Sequence, residues 1–306
     1  MRLKTRSEDE REPKARIRGG HRRRRLGPTG VWPTLLTLGN LVTGFAAIHY
    51  AAKPVLDGNA FGPWGWTSLT VAASLVLLGI VLDSLDGAVA RLTDSVTELG
   101  GQLDSLADIV TFGLAPAFIM LNLLSQYAGS SEPIMTPVTG NAFGKFCWAV
   151  AAIYVCCSAL RLARFNVETA SGQLGHHAYF RGLPSPGAAG AVVGLVLLHE
   201  HVTALATTTE SSIFNWIAGM LIVLTPVVTL MAAILMVSGV PYAHMANRYL
   251  RGARSFTYLV RAGIVLCAAI WWLQETLAIM FMWYLCSGPA RVFWKRWRMS
   301  TGAMAS

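Results

Sequence analysis

Runs of apolar residues close to twenty long recur from one end of this chain to the other, and they leave few folds open. The hydrocarbon core of a bilayer is about 30 Å thick and is crossed by about 20 helical residues. Measured against that length, eight spans are read, at 33–52, 66–85, 99–127, 143–163, 186–203, 213–239, 256–271 and 277–287. The last two are short and separated by only five residues, so one long tilted helix over both is the other reading. Backbone polar groups have no water partners in lipid, so the spans are expected to be helices. The fold class expected is an all-α integral membrane protein, a bundle of about eight transmembrane helices.

Composition agrees. Hydrophobic residues make up 54% of the 306, and charged residues only 13%, about half of the roughly 25% usual in soluble domains. An ordinary cytosolic globule is excluded, and so is disorder over most of the chain. The cysteines Cys147, Cys156, Cys157, Cys267 and Cys286 sit in or beside apolar stretches without C-x-x-C spacing. They read as small buried hydrophobes rather than as disulfide partners or zinc ligands.

The cations are unevenly placed. Eleven of the 25 Lys and Arg residues fall within 1–32. This tail is too long and polar for a cleavable signal peptide. It reads as a juxtamembrane anchor for anionic lipid. Glu8, Asp9, Glu10 and Glu12 interrupt it and no folded module accompanies it, so no nucleic acid is expected as a partner. With the N-terminus in the cytoplasm and the spans alternating, 22 cations lie at the cytoplasmic side, and only Lys53 and Lys145 lie opposite. The positive-inside rule therefore places both termini in the cytoplasm and favours an even number of spans. The expected organisation is a basic tail over 1–32, a transmembrane domain over 33–290 and a basic tail over 291–306. Most of the ten Trp residues fall near predicted helix ends, as in an interfacial belt. Gly187, Gly190 and Gly194 permit close helix approach; generic packing is the favoured reading and a homodimer face the other.

Acidic residues cluster where the second span gives way to the third. Asp83 and Asp86 are spaced i, i+3, and Asp104 and Asp108 i, i+4, so each pair shares a helix face. The short turn between them makes the helices antiparallel neighbours and brings four carboxylates together at one membrane face. Four bare anions do not share a partly desolvated pocket, whereas a divalent cation removes the conflict. Oxygen ligands suit Mg²⁺ or Mn²⁺, and four Asp suffice for two such ions, which would favour a pyrophosphate. Gly87 and Gly100 allow a ligand close to the backbone, Ala90 keeps the same face shallow, and Arg91 offers a fork for phosphate. The bland alternative, interfacial loop charges, does not account for the paired spacing with interleaved Gly and Ala.

The string D-S-L-D-G-A-V-A-R, eight residues, then G-G-Q-L-D-S-L-A-D resembles the signature of the CDP-alcohol phosphotransferases, D-x-x-D-G-x-x-A-R-x8-G-x-x-x-D-x-x-x-D, at every fixed position. The resemblance implies a membrane enzyme that binds two divalent metals and a CDP-linked donor, releases CMP and passes the phosphoryl-alcohol unit to a second alcohol. It implies metal ligation by Asp83, Asp86, Asp104 and Asp108, with Asp108 also the general base. It implies a CDP site lined by Gly87, Ala90, Arg91 and Gly100.

Flanking strings resemble the phosphatidylserine-synthase branch of this family: T-L-L-T-L-G-N-L around Thr37 and Asn40, L-D-S-L-A-D-I-V-T-F-G-L-A-P, R-L-A-R-F-N over 161–166 and G-L-P-S-P over 182–186. The likeness covers 33–290 and adds Thr37 and Asn40 to the implied CDP site. Thr34 departs from it, since an Asn commonly follows the first Pro. The implied reaction joins CDP-diacylglycerol, held in the membrane lipid, to L-serine entering from the cytoplasm, and yields phosphatidylserine and CMP. Arg161 and Arg164 share a helix face and Asn166 follows; they are expected to hold the acceptor's carboxylate or a phosphate, and the other reading is that they anchor the helix. Pro184 and Pro186 shape a turn into the fifth span, and His176 and His177 are expected to be solvent-exposed. Glycerol 3-phosphate, an inositol phosphate or choline are the alternative acceptors. An ion-coupled transporter is the reading from another class, but it expects acids near the bilayer midplane and inverted repeats, and no repeat is visible.

Overall fold

A computed structural model describes residues 31–53, 66–92, 98–127, 142–170, 179–243 and 272–302. Helix α1 covers Val31–Ala51 and α2 covers Ser68–Leu92. Helix α3 (Glu98–Asp108) runs through a π-helical turn, Ile109–Leu114, into α4 (Ala115–Tyr127). Then follow α5 (Ala142–Ala170), strand β1 (Tyr179–Arg181), α6 (Ser185–Thr209), α7 (Ser212–Val237), strand β2 (Pro241–Ala243) and α8 (Leu273–Gly302). Six of these helical segments are long and apolar enough to cross a membrane: Ser68–Val89, Leu99–Tyr127, Ala142–Glu168, Ser185–Thr209, Ser212–Val237 and Leu273–Trp294. The chain is a helical, multi-pass membrane protein.

Several expected elements are longer than sequence reading makes them. The second span continues to Leu92, so Asp83, Asp86 and Gly87 are helical. The stretch expected at 277–287 belongs to a 30-residue helix. Bilayer thickness limits the apolar part of a helix but not the helix itself, and α8 continues beyond its apolar segment, Leu273–Trp294, to Gly302. Trp272 lies outside the helix, so α8 starts afresh there, and the span expected at 256–271 lies outside the described residues. Within a chain expected to be wholly α, β1 and β2 form an antiparallel pair, with Phe180 opposite Tyr242. His176, His177 and Cys267 lie outside the described residues. Cys147, Cys156, Cys157 and Cys286 are free thiols, and of these only Cys147 is buried.

Helix α6 is the centre of the bundle, because small and apolar residues surround it on all sides. Ala188, Ala191, Val192 and Leu195 pack into a core shared with α4, α5, α7 and α8. Ala189, Val193, Val196 and Leu197 pack into a second core with α1, α2 and α4. The glycine stripe of α6 receives α8 of the same chain. A Cβ at Gly190 would strike the ring of Phe281, one at Gly187 would lie 2.7 Å from Tyr284 Cε1, and one at Gly194 would lie 3.3 Å from Ala278 Cα. This face is therefore internal packing, not a homodimer surface. Helix α7 turns Met220, Val223, Val227 and Ile234 outward, as a lipid-facing helix does.

The turn into α6 is fixed from behind. Gly182 has φ of +93°, a conformation that costs residues with a Cβ. Its N–H donates to the Val240 carbonyl at 2.9 Å, and the Leu183 N–H donates to Leu235 at 3.0 Å. Pro184 and Pro186 then pre-set the first turn. Ser185 is thereby held at one end of the bundle, beside the aspartates described next.

Candidate active site

The four aspartates converge from two helices. Asp83 and Asp86 lie on α2, and Asp104 and Asp108 on α3. One carboxylate oxygen each from Asp83, Asp104 and Asp108 lies within 4.8 Å of the other two. Asp86 stands just outside this trio. It is 6% exposed, accepts a hydrogen bond from Thr37 Oγ1 at 3.0 Å, and is also bonded by the Gly87 backbone. Among the described residues, the charges that act on Asp108 are those of Asp83, Asp104, Asp86 and the guanidinium of Arg161.

Helix α1 holds two of these carboxylates in place. Thr37 bonds Asp86, and Asn40 Nδ2 donates to Asp108 Oδ1 at 3.3 Å. Asn40 is fully buried. Its own carbonyl accepts the hydroxyls of Thr43 at 2.7 Å and Thr111 at 2.9 Å. Thr37 and Asn40, expected at the CDP site, are thus hydrogen-bonded to the aspartates themselves.

Thr111 reaches Asn40 because the helix widens into the π-turn immediately after Asp108. Such turns are rare and concentrate at functional sites. Thr111 is wedged where α1 and α2 carry glycine. A Cβ at Gly79 would lie 2.5 Å from Thr111 Cγ2, and one at Gly44 would strike Thr111 Oγ1. From the other side Tyr154 donates to the Phe112 carbonyl at 3.0 Å, and Ser158 packs where Gly113 lacks a Cβ. Sequence reasoning did not single out Thr111, Tyr154 or Ser185. The sequence string after Asp108 contains Thr111, but a π-turn has no periodicity to detect.

The three residues expected to hold the acceptor separate. Arg161 donates to Ser185 Oγ and lies within electrostatic reach of Asp108 and Asp83. Arg164 pairs with Glu168 at 2.8 Å, with 44% of its side chain exposed. Asn166 exchanges hydrogen bonds with Ser105 on α3. Arg164 and Asn166 are therefore engaged with other partners. Gly100 lies in the first turn of α3. Ala90 and Arg91 lie in the last turn of α2, and their side chains lie outside the described part of the structure.

The donor set fits a hard divalent cation. Three carboxylates crowd together, and Asp104 Oδ1 is buried without a hydrogen-bond partner among the described residues. An orphaned buried carboxylate oxygen is costly, and a metal ion would satisfy it.

Comparison with known proteins agrees with this geometry. The CDP-alcohol phosphatidyltransferase family model matches residues 31–210, which include all four aspartates, Arg161 and Ser185. A CDP-diacylglycerol–serine O-phosphatidyltransferase of Helicobacter pylori is 32% identical over 192 residues, covering 63% of this chain and 68% of the relative. The enzyme of that name from Mycobacterium tuberculosis is 28% identical over 272 residues, 87% of this chain and 80% of the relative. The one from Saccharomyces cerevisiae is 37% identical over 164 residues, 52% of this chain and 51% of the relative. With the family model matching more than half of its length and its signature aspartates brought to one place, the chain belongs to the CDP-alcohol phosphatidyltransferase family.

Proposed function

We propose that this protein is a CDP-diacylglycerol–serine O-phosphatidyltransferase of phospholipid biosynthesis, which forms phosphatidylserine and CMP. The observation that carries the reading is the convergence of Asp83, Asp104 and Asp108 to within 4.8 Å on the family signature. Its relatives from a bacterium and a yeast bear that enzyme's name.

Asp83, Asp86, Asp104 and Asp108 would hold two divalent ions, Mg²⁺ or Mn²⁺, which would supply positive charge for the pyrophosphate and the departing CMP. Gly87 and Gly100 leave room for the nucleotide, with Ala90 and Arg91 beside it. Thr37 and Asn40 shape that wall and orient Asp86 and Asp108. Asp108 takes the serine hydroxyl proton as the oxygen attacks the phosphorus bearing diacylglycerol. The hydroxyl is a very weak acid, so the transfer accompanies bond formation. Asn40, donating to Asp108 Oδ1, leaves the other carboxylate oxygen for that proton. Arg161 holds the acceptor's negative group.

The catalytic domain extends over 33–290, with eight spans, both basic tails in the cytoplasm and the active site facing the cytoplasm of the cell membrane. The distribution of Lys and Arg supports that orientation. The test is purified protein with CDP-diacylglycerol, Mn²⁺ or Mg²⁺, and serine, glycerol 3-phosphate, inositol phosphate or choline in turn, with CMP measured. CMP release dependent on serine and a divalent ion is expected. Release with another alcohol alone overturns the choice of acceptor, and none with any alcohol overturns the reaction.

A further inference from the structure

We propose that Tyr284 and Arg291 of α8, with Ser185 at the head of α6, complete around Arg161 an anion pocket that takes the carboxylate of the acceptor amino acid. This rests on the reading of the acceptor given above and extends it to a helix beyond the stretch matched by the family model.

The pocket follows from how α8 packs on α6. The two helices run antiparallel, with Ala278 against Gly194, Phe281 against Gly190 and Tyr284 against Gly187. The pairing brings the phenol of Tyr284 to the head of α6, two residues from Ser185. Ser185 is 1% exposed and accepts from Arg161, occupying one of the five guanidinium N–H donors. Arg161, tied to Ser185, is within electrostatic reach of Asp108, Asp83, Tyr154 and Tyr284. Arg291 lies two turns further along α8 on the same helix face as Tyr284, and the charges of Arg161 and Arg291 both act on the phenol. The backbone behind the ring is braced, because Tyr242 of β2 packs where Gly288 lacks a Cβ and donates to the Leu285 carbonyl at 2.9 Å.

Two guanidiniums and a phenol are strong donors, and together they recognise a ligand rich in acceptors. The aspartates beside them have the opposite character. An amino-acid alcohol matches that polarity: its hydroxyl and ammonium turn to the carboxylates, and its carboxylate turns to Arg161, Tyr284 and Arg291. A phosphate on the acceptor would use the same donors, so the chemistry shared by both is an oxyanion.

The test uses the full-length enzyme with CDP-diacylglycerol and Mn²⁺, and compares wild type with Y284F and R291Q. The acceptors are L-serine, ethanolamine (serine without its carboxylate) and glycerol 3-phosphate. Y284F keeps the ring on Gly187 and removes only the hydroxyl. It is expected to raise the KM for serine about tenfold, the loss of a hydrogen bond to a charged group, without raising that for CDP-diacylglycerol. R291Q is expected to raise it severalfold, and both variants narrow the preference for serine over ethanolamine. Wild-type serine KM and preference in both variants overturn the pocket while the proposed reaction stands. If wild type uses glycerol 3-phosphate and not serine, the proposed function fails; an unchanged KM for that acceptor in Y284F then overturns the pocket as well.

Discussion

The bundle carries carboxylates at both ends, a partly buried cluster at one and a single buried acid at the other, and the two sites are built on opposite principles. Around Asp108, Asp83 and Asp104 crowd together with Asp86 just outside, the charge of Arg161 acts on them, and a buried oxygen of Asp104 has no hydrogen-bond partner among the described residues. At the other end of α6, about 22 Å along by helical rise from Ser185, Glu200 is alone and well supplied. It is 4% exposed. One oxygen accepts from Thr67 at 2.5 Å and from Tyr127 at 3.4 Å, and the other lies 3.3 Å from His199 Nδ1. The Tyr127 and His199 rings also meet edge to face at 4.6 Å. Glu200 thereby ties α6 to the head of α2 and the end of α4. A buried acid whose oxygens are all satisfied within the chain serves stability. A group of acids that share too few donors among the described residues has room for a cation.

That contrast is open to test, most severely by removing the metal. Chelation of the purified enzyme is expected to abolish CMP release, and Mn²⁺ is expected to restore it; undiminished turnover after exhaustive chelation would make the aspartate cluster as self-sufficient as Glu200. Next, Asp108→Asn is expected to lower turnover by about 10²–10⁴-fold, the usual contribution of a general base. CDP-lipid binding, followed by equilibrium titration, is expected to survive. Wild-type turnover in that variant removes Asp108 from the base role. Thr111→Val keeps the wedge between Gly44 and Gly79 but loses the hydroxyl that steadies Asn40. A cost of about 1 kcal/mol at the transition state, about fivefold in kcat, is expected. The smallest effect on turnover belongs to Glu200→Gln. It places an amide donor among hydroxyl donors and is expected to cost about 1–3 kcal/mol of stability, read as a lower thermal midpoint in detergent. Its kcat is expected to stay within about twofold of wild type. A large loss of turnover without loss of stability would mean that the two ends are coupled.

How much of this was legible beforehand differs residue by residue. Asp83, Asp86, Asp104 and Asp108 were readable because i, i+3 and i, i+4 spacing within one pair of helices is itself a statement about distance. Arg161 and Arg164 share the same periodic argument and yet part company, since one finds Ser185 and the other Glu168. Glu200 sits inside an apolar span without any motif, and its partners Thr67 and Tyr127 are remote in the chain. Thr111 was in plain view in the string after Asp108, but the widened turn that aims it at Asn40 has no one-dimensional trace.

The amino-acid order alone determined the membrane setting, the helical architecture and the carboxylate cluster. Each of these follows from local rules: the length of apolar runs, the need to satisfy the backbone in lipid and the pitch of a helix. The tertiary structure decided that α6 is the hub and that its glycine stripe belongs to α8 rather than to another molecule. It also decided which arginine faces the aspartates. Those outcomes depend on contacts between helices distant in sequence, where shape complementarity and the satisfaction of buried polar groups select one packing among many that the same periodicities allow.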